Sequence, residues 1–162
     1  MNDAIFMERC LELAKKGLGN TYPNPLVGSV IVHEGKVIGE GWHKKAGCNH
    51  AEREAISKVK DPSLLSNSTL YVNLEPCDHF GKTPPCVDAI IQSGIKNVFI
   101  GMLDPNPVTN GRGVKKLRLA GITVNLNICK KESQELNSHF IKYLKTKMPY
   151  VTLKMAQSLD GK

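Results

Sequence analysis

Two short segments of this chain, His50-Ala51-Glu52 and Pro76-Cys77 followed by Thr83-Pro84-Pro85-Cys86, supply one imidazole, two thiols and one carboxyl group. Imidazole nitrogen and thiolate sulfur are ligands that zinc prefers, and a catalytic zinc site takes three of them while keeping a fourth position open to water. Zinc lowers the pKa of such a water to about 7, which makes it a nucleophile at neutral pH. A carboxyl group two residues after the histidine is well placed to take the water's proton and hand it to the substrate and then to a leaving group. The set points to a hydrolytic centre, with His50, Cys77 and Cys86 as metal ligands and Glu52 as the proton shuttle. The same residues also suit a closed zinc site that only holds the fold, with Cys48 or His79 as fourth ligand, but that arrangement leaves Glu52 without a role.

The elements of the chain have to bring these groups together. Residues 3 to 17 carry Ile5, Phe6, Cys10, Leu11, Leu13 and Ala14 at helical spacing, and Gly17 ends the run. The prolines of Asn20-Thr21-Tyr22-Pro23-Asn24-Pro25 forbid a regular element there. Val27 to Val32 and Lys36 to Trp42, joined by His33-Glu34-Gly35, read as an antiparallel hairpin. A helix is predicted from His50 to about Lys60, stopped by Asp61-Pro62, and a strand over 68–73 then leads into Glu75-Pro76-Cys77. A second site helix is predicted to start at Thr83, with the threonine as N-cap and proline in the first turn, and to end at Gly94. A strand over 97–101, a helix over 114–120, a strand over 122–126 and one last helix over 132–145 complete the pattern. Alternating β and α elements after an opening hairpin argue for a layered α/β fold with a mostly parallel sheet. Thiolates at helix starts are stabilised by unpaired backbone N–H groups and the helix dipole.

Composition narrows the partners. The 162 residues fit one ordinary domain, and 41% apolar residues are enough to fill its core. No run of eighteen apolar residues occurs, and the N-terminus lacks the basic-then-apolar order of a signal peptide, so a cytoplasmic protein with no membrane contact is expected. Five cysteines, Cys10, Cys48, Cys77, Cys86 and Cys129, form no regular framework and read as free thiols or metal ligands. The net charge of +7 invites a nucleic-acid partner, yet the lysines are scattered and aromatic residues make up 6% of the chain, which leaves no stacking platform. A small anionic substrate remains compatible with the charge.

The histidine-x-glutamate and Pro-Cys elements together resemble the signature of zinc-dependent base deaminases, except that eight residues, not two, separate the cysteines. More specifically, the chain resembles the deaminase domain of the bifunctional riboflavin-biosynthesis deaminase–reductases, a branch of the cytidine-deaminase-like superfamily with that long spacing. The resemblance rests on residues 21–28 (TYPNPLVG), Gly41-Trp42-His43, His50-Ala51-Glu52, residues 75–86 (EPCDHFGKTPPC) and Asp104-Pro105-Asn106-Pro107. It implies a three-layer α/β/α sandwich around a five-stranded mixed sheet. It also implies hydrolytic deamination of 2,5-diamino-6-ribosylamino-4(3H)-pyrimidinone 5′-phosphate, with zinc on His50, Cys77 and Cys86, proton transfer by Glu52, and Asn24, His43, His79, Lys82 and Asn106 around the substrate. Asn24 could read a pyrimidine edge with its donor and acceptor, and Lys82 could meet the phosphate as a point charge.

The chain departs from the family pattern at Cys48-Asn49, which precedes the histidine, at Asn110 before Gly111-Arg112-Gly113, and in its tail. Residues 1–147 are expected to form the deaminase domain, and residues 148–162 resemble the opening strand of the reductase domain. A deaminase-only chain is therefore expected, with the reductase either supplied by a separate chain as a further partner or cut from this sequence. The alternating stretch from Tyr150 to Met155 is expected to be disordered or to pair with another subunit, and a homo-oligomer is the expected assembly.

Overall fold

The computed structural model describes residues 3–81, 83–158, 160 and 161. Its strands are β1 (Gly28–His33), β2 (Lys36–Trp42), β3 (Thr69–Leu74), β4 (Asn97–Met102) and β5 (Thr123–Leu126), forming one sheet in the order β2-β1-β3-β4-β5. Its helices are α1 (Asp3–Lys15), α2 (Ala51–Ser57), α3 (Cys86–Gln92), α4 (Arg112–Leu119), α5 (Lys130–Leu136) and α6 (Ser138–Thr146). β1 runs antiparallel to both β2 and β3, while β3, β4 and β5 are parallel to one another. The sheet is thus evenly mixed rather than mostly parallel, because β1 lies against β3 as well as against its hairpin partner.

Alternate side chains of a strand point to opposite faces. Val30, Val32 and Tyr71 pack with Met7, Cys10 and Leu13 of α1 on one face. Ile31, Leu70, Val72, Val98 and Ile100 pack on the other, against Ala55 of α2, Val87 and Ile90 of α3, and Val114 and Leu117 of α4. Covered on both sides, β1 and β3 read as nearly unbroken buried runs. The result is the three-layer α/β/α sandwich expected.

Helix α2 lies unusually close to the edge strand β2. A Cβ at Gly41 would fall 2.3 Å from the Ala51 carbonyl oxygen, and one at Gly39 would fall 2.5 Å from that of Ala55. Glycine at these positions allows the approach, which fixes the first turn of α2 with His50 at its N-cap.

Local structure differs from the sequence pattern in four places. α2 ends at Ser57, and Pro62–Asn67 form a separate 3-10 turn whose first N–H, that of Ser63, donates to the Asp61 carboxylate. α3 begins at Cys86, not Thr83, because a residue that precedes proline is pushed out of the helical region, which acts on Thr83 and Pro84, and Pro85 has a non-helical ψ of 136°. The single last helix breaks into α5 and α6 at Asn137, whose side chain is buried and bonded elsewhere. No strand forms over 150–155, where Val151 and Leu153 are exposed and Tyr150 folds back onto the His139 ring of α6, with centroids 4.1 Å apart. Among the described residues no helix is long and apolar enough to cross a membrane.

The break at Asn137 has a purpose for the site. Asn137 Oδ1 accepts from Leu26 N at 2.8 Å and its Nδ2 donates to Leu26 O at 3.0 Å. Asn73, fully buried in β3, donates to the same carbonyl at 3.0 Å and accepts from Gly28 N at 2.8 Å. These two amides hold the segment that enters β1 and carries Asn24. Replacing Asn137 by alanine leaves the Leu26 N–H buried and unpaired, so chemical denaturation should show a loss of about 1–3 kcal/mol.

Candidate active site

One nitrogen organises the centre. His50 Nδ1 lies 3.5 Å from Cys77 Sγ and 3.2 Å from Cys86 Sγ, and the three donor atoms are all within 4.8 Å of one another. Nitrogen and sulfur ligands of a tetrahedral zinc ion lie roughly 3.6 Å apart, so this donor set fits the ion with little movement. Nδ1 is then the ligating nitrogen and needs its lone pair, which puts the ring proton on Nε2. Nε2 is 3.4 Å from Thr83 Oγ1, which accepts it. Such a bond fixes the ring and the tautomer of a metal-binding histidine.

Thr83 therefore serves His50, and the capping expected of it falls to Cys77. Cys86 N donates to Cys77 Sγ at 3.3 Å, and Val87 N donates to Cys77 O at 3.1 Å. Arg53, one residue after Glu52, donates to the Pro84 and Pro85 carbonyls at 3.2 and 3.1 Å and so pins the Cys86 segment to α2. The Cys77 thiol is drawn well below its ordinary value, foremost by the hydrogen bond from Cys86, and the same contact together with burial pushes Cys86 up.

Glu52 stands beside this cluster, 3% exposed. Burial foremost, then the charge of Cys77, pushes its carboxyl up to about 7. Its Oε2 is buried and has no hydrogen-bond partner among the described residues. An unpaired buried oxygen is costly, and a water held at the metal position is a group that would satisfy it.

The elevated carboxyl has a measurable consequence. A buried acid whose pKa rises in the fold contributes stability that is full below its unfolded value and is lost as pH climbs through the folded one. In chelator-treated protein, the contribution of Glu52 should therefore fall between pH 4.5 and about 7 by about 3 kcal/mol, read as the difference from Glu52→Gln because the lowered Cys77 thiol acts in the opposite direction over this range. Glu52→Gln should remove that slope in urea titrations run across the range.

A cavity of about 420 Å³ opens over the cluster, and Asn24, His43, His79 and Asn106 are among the residues that line it. Phe140 and Leu144 of α6 supply an apolar wall. Lys82 lies outside the described residues. Cys48 also lines the cavity, but neither it nor His79 joins the donor cluster, and His79 Nδ1 is 3.9 Å from Asp78 Oδ1. Among the described residues the site therefore has three donors and no fourth.

The polar groups of the cavity are already oriented. His43 Nδ1 is 3.2 Å from the Asn49 carbonyl, which can only accept, so Nδ1 carries the proton. Burial pushes the His43 pKa down and keeps the ring neutral. Its Nε2 then accepts from Asn24 Nδ2 at 3.0 Å. That bond turns the Asn24 amide so that Oδ1 is left to accept an N–H of a ligand. Asn106 is set the opposite way: its Oδ1 accepts from Val108 N at 3.1 Å, which leaves its NH2 to donate.

Residues 1–102 match the cytidine and deoxycytidylate deaminase zinc-binding region family, which is more than half of the chain. The chain is 53% identical over 149 residues to the diaminohydroxyphosphoribosylamino-pyrimidine deaminase of Buchnera aphidicola, covering 92% of this chain and 100% of that protein. The chain belongs to this zinc deaminase family. It is also 54% identical to the riboflavin biosynthesis protein RibD of Aquifex aeolicus, over 99% of this chain and 44% of that one. The crystal structure of a diaminohydroxyphosphoribosylaminopyrimidine deaminase/5-amino-6-(5-phosphoribosylamino)uracil reductase from Thermotoga maritima superposes with a TM-score of 0.91 at 52% identity, covering 98% of this chain and 46% of that one. The chain thus spans less than half the length of the Aquifex and Thermotoga proteins. Membership in the riboflavin-type deaminases accounts for the zinc-binding character of the His50, Cys77 and Cys86 cluster.

Sequence patterns alone did not single out Asn73, Asn137 or Arg53. The signal for Asn73 was present: a polar residue inside the apolar strand TLYVN is buried and must find partners. Arg53 and Asn137 sit in polar stretches that give no such sign.

Proposed function

We propose that this chain hydrolytically deaminates 2,5-diamino-6-ribosylamino-4(3H)-pyrimidinone 5′-phosphate to 5-amino-6-(5-phosphoribosylamino)uracil and ammonia. The observation that carries this reading is the partnerless, buried Glu52 oxygen beside the three-donor cluster, on a cavity where Asn24 offers an acceptor. Zinc held by His50, Cys77 and Cys86 supplies Lewis acidity and a nucleophile at neutral pH. Water adds to the ring carbon that bears the amine, and the carbon–nitrogen bond breaks as ammonia leaves. Glu52 takes one proton from the water and delivers it to a ring nitrogen, then takes the second from the added hydroxyl as the ring carbonyl forms and delivers it to the departing amine. Burial, which raises the proton affinity of this carboxyl, suits it to holding a proton between the two transfers.

Asn24 accepts from an N–H of the pyrimidine, and His43 holds it in that orientation. Asn106 donates to a substrate oxygen, and the charge of Lys82 suits it to the phosphate. The named activities of the Buchnera and Thermotoga proteins support this choice of substrate. Residues 1–147 act as the deaminase unit, and 148–162 correspond to the opening of a reductase segment. A substrate panel tests the reading: the pyrimidine ribosylphosphate, its dephosphorylated form, cytidine, deoxycytidylate and transfer RNA. Turnover of the first well above the rest is expected. Preferred turnover of transfer RNA, with affinity falling steeply as salt rises, would overturn it.

A further inference from the structure

Glu75 sits two residues before Cys77, 6% exposed, and its carboxylate is surrounded by backbone N–H groups. Oε2 accepts from Asp104 N at 3.0 Å and from Gly111 N at 2.9 Å, and Oε1 accepts from Val114 N at 3.2 Å. The first two donors stand at opposite ends of the connection between β4 and α4, so one oxygen closes that loop. The third donor lies in the first turn of α4. The main chain of Glu75 is itself tied to the end of β4, with its N–H donating to Met102 O at 2.9 Å.

The loop that Glu75 closes is the one that carries Asn106. Within it, Asp104 Oδ1 accepts from Asn106 N at 2.9 Å and Oδ2 accepts from Thr109 Oγ1 at 2.7 Å, while Asn110 Nδ2 donates to Asp104 O at 2.7 Å. The loop is thus internally braced and attached at both ends to a residue next to a metal ligand. Packing reinforces the attachment: a Cβ at Gly113 would fall 2.2 Å from Pro76 O, so α4 rests directly on the Glu75-Pro76-Cys77 segment. Three converging N–H donors call for a group that only accepts and has two oxygens, which is a carboxylate. Glutamine has the same shape but would aim an NH2 at one of the donors.

We infer that Glu75 is a positioning residue, which sets the separation between the metal cluster and the Asn106 amide and thereby governs how tightly substrate is held. This rests on the deaminase reading for its kinetic readout. The test uses the zinc-loaded full chain and compares Glu75→Gln, Asn106→Ala and the double variant. Steady-state kinetics, zinc content and hydrogen exchange of the backbone amides are measured on each. Glu75→Gln should raise KM about tenfold with kcat within about twofold of wild type. Zinc content should be unchanged, and the amides of Asp104, Gly111 and Val114 should lose protection while β1, β3 and β4 keep theirs. On the Asn106→Ala background the same change should move KM by less than about twofold, because the two act on one contact.

An unchanged KM alongside lost amide protection would overturn the coupling to substrate, and retained protection would overturn the clasp itself. Lost zinc, or faster exchange throughout the sheet, would make Glu75 a folding residue and overturn its positioning role. Thr109→Val, which cuts one brace inside the loop and leaves Glu75 in place, guards against a variant that does not fold. It should raise KM by about threefold with zinc retained, and no rise would count against the inference. Wild-type turnover is measured first. Its absence would overturn the proposed substrate and the kinetic coupling together, while amide exchange would still decide whether Glu75 holds the loop.

Discussion

Glu52→Gln should lower kcat by about 10²–10⁴-fold while zinc stays bound at one equivalent. Glutamine fits the buried space that the carboxyl occupies, so the metal cluster keeps its shape. It cannot take a proton from water or return one to the leaving amine. The carboxyl is unusual in being both buried and without a partner for one oxygen, which is the arrangement expected of a group that exchanges protons rather than one that braces the fold. Zinc analysis alongside single-turnover kinetics would separate the two roles. Full activity in the glutamine variant would remove Glu52 from the chemistry and revive a purely structural zinc site.

Cys86→Ala should be the more damaging change overall. Cys86 is fully buried, opens α3 and contributes one of the three donor atoms. Its loss leaves two ligands for zinc, and affinity should drop by well over the roughly 100-fold that losing a supporting hydrogen bond at a metal site can cost. Activity should fall with zinc content, and because metal binding is coupled to folding, the melting temperature of the zinc-loaded protein should fall with it. Cys48→Ser is the matching control. Cys48 lines the cavity but lies outside the donor cluster, so zinc content should not change. Equal loss of zinc in both variants would mean that Cys48 takes part in binding.

The three ligands and Glu52 were legible in the sequence because their spacing is dictated by chemistry. Histidine and glutamate two residues apart at a helix start, and cysteines after a strand and at the next helix start, leave few other uses. That Asn24, His43, His79 and Asn106 share one cavity was suggested only through resemblance, since isolated loop polar residues carry no periodicity. What joins the site together was not legible. Thr83 looked like a helix cap, and in the fold Cys77 takes that place because the two successive prolines keep Thr83 and Pro84 out of the helical region and the helix starts only at Cys86. Glu75 looked like part of a signature, and its three backbone donors come from residues about thirty to forty positions away. The long final helix looked continuous because good helix formers flank Asn137-Ser138 on both sides. Asn137 breaks it through two hydrogen bonds to Leu26, a contact that local propensity does not register.

The sheet shows the same division. Apolar runs predicted each strand to within a residue or two, because both faces of the sheet are covered and burial is written into composition. Their order was not contained in any single strand. β1 pairs antiparallel with β3 over Ser29 to Val32, and only the tertiary fold supplies that register.

The most direct test of the account is to incubate the zinc-loaded chain with 2,5-diamino-6-ribosylamino-4(3H)-pyrimidinone 5′-phosphate in ¹⁸O-water, following ammonia release and the mass of the product. The account predicts one ammonia per pyrimidine consumed, with solvent oxygen incorporated into the product ring, and both events slowed by about 10²–10⁴-fold in the Glu52→Gln variant. A zinc-replete wild-type chain that releases no ammonia, or that releases it without taking up solvent oxygen, would contradict the account.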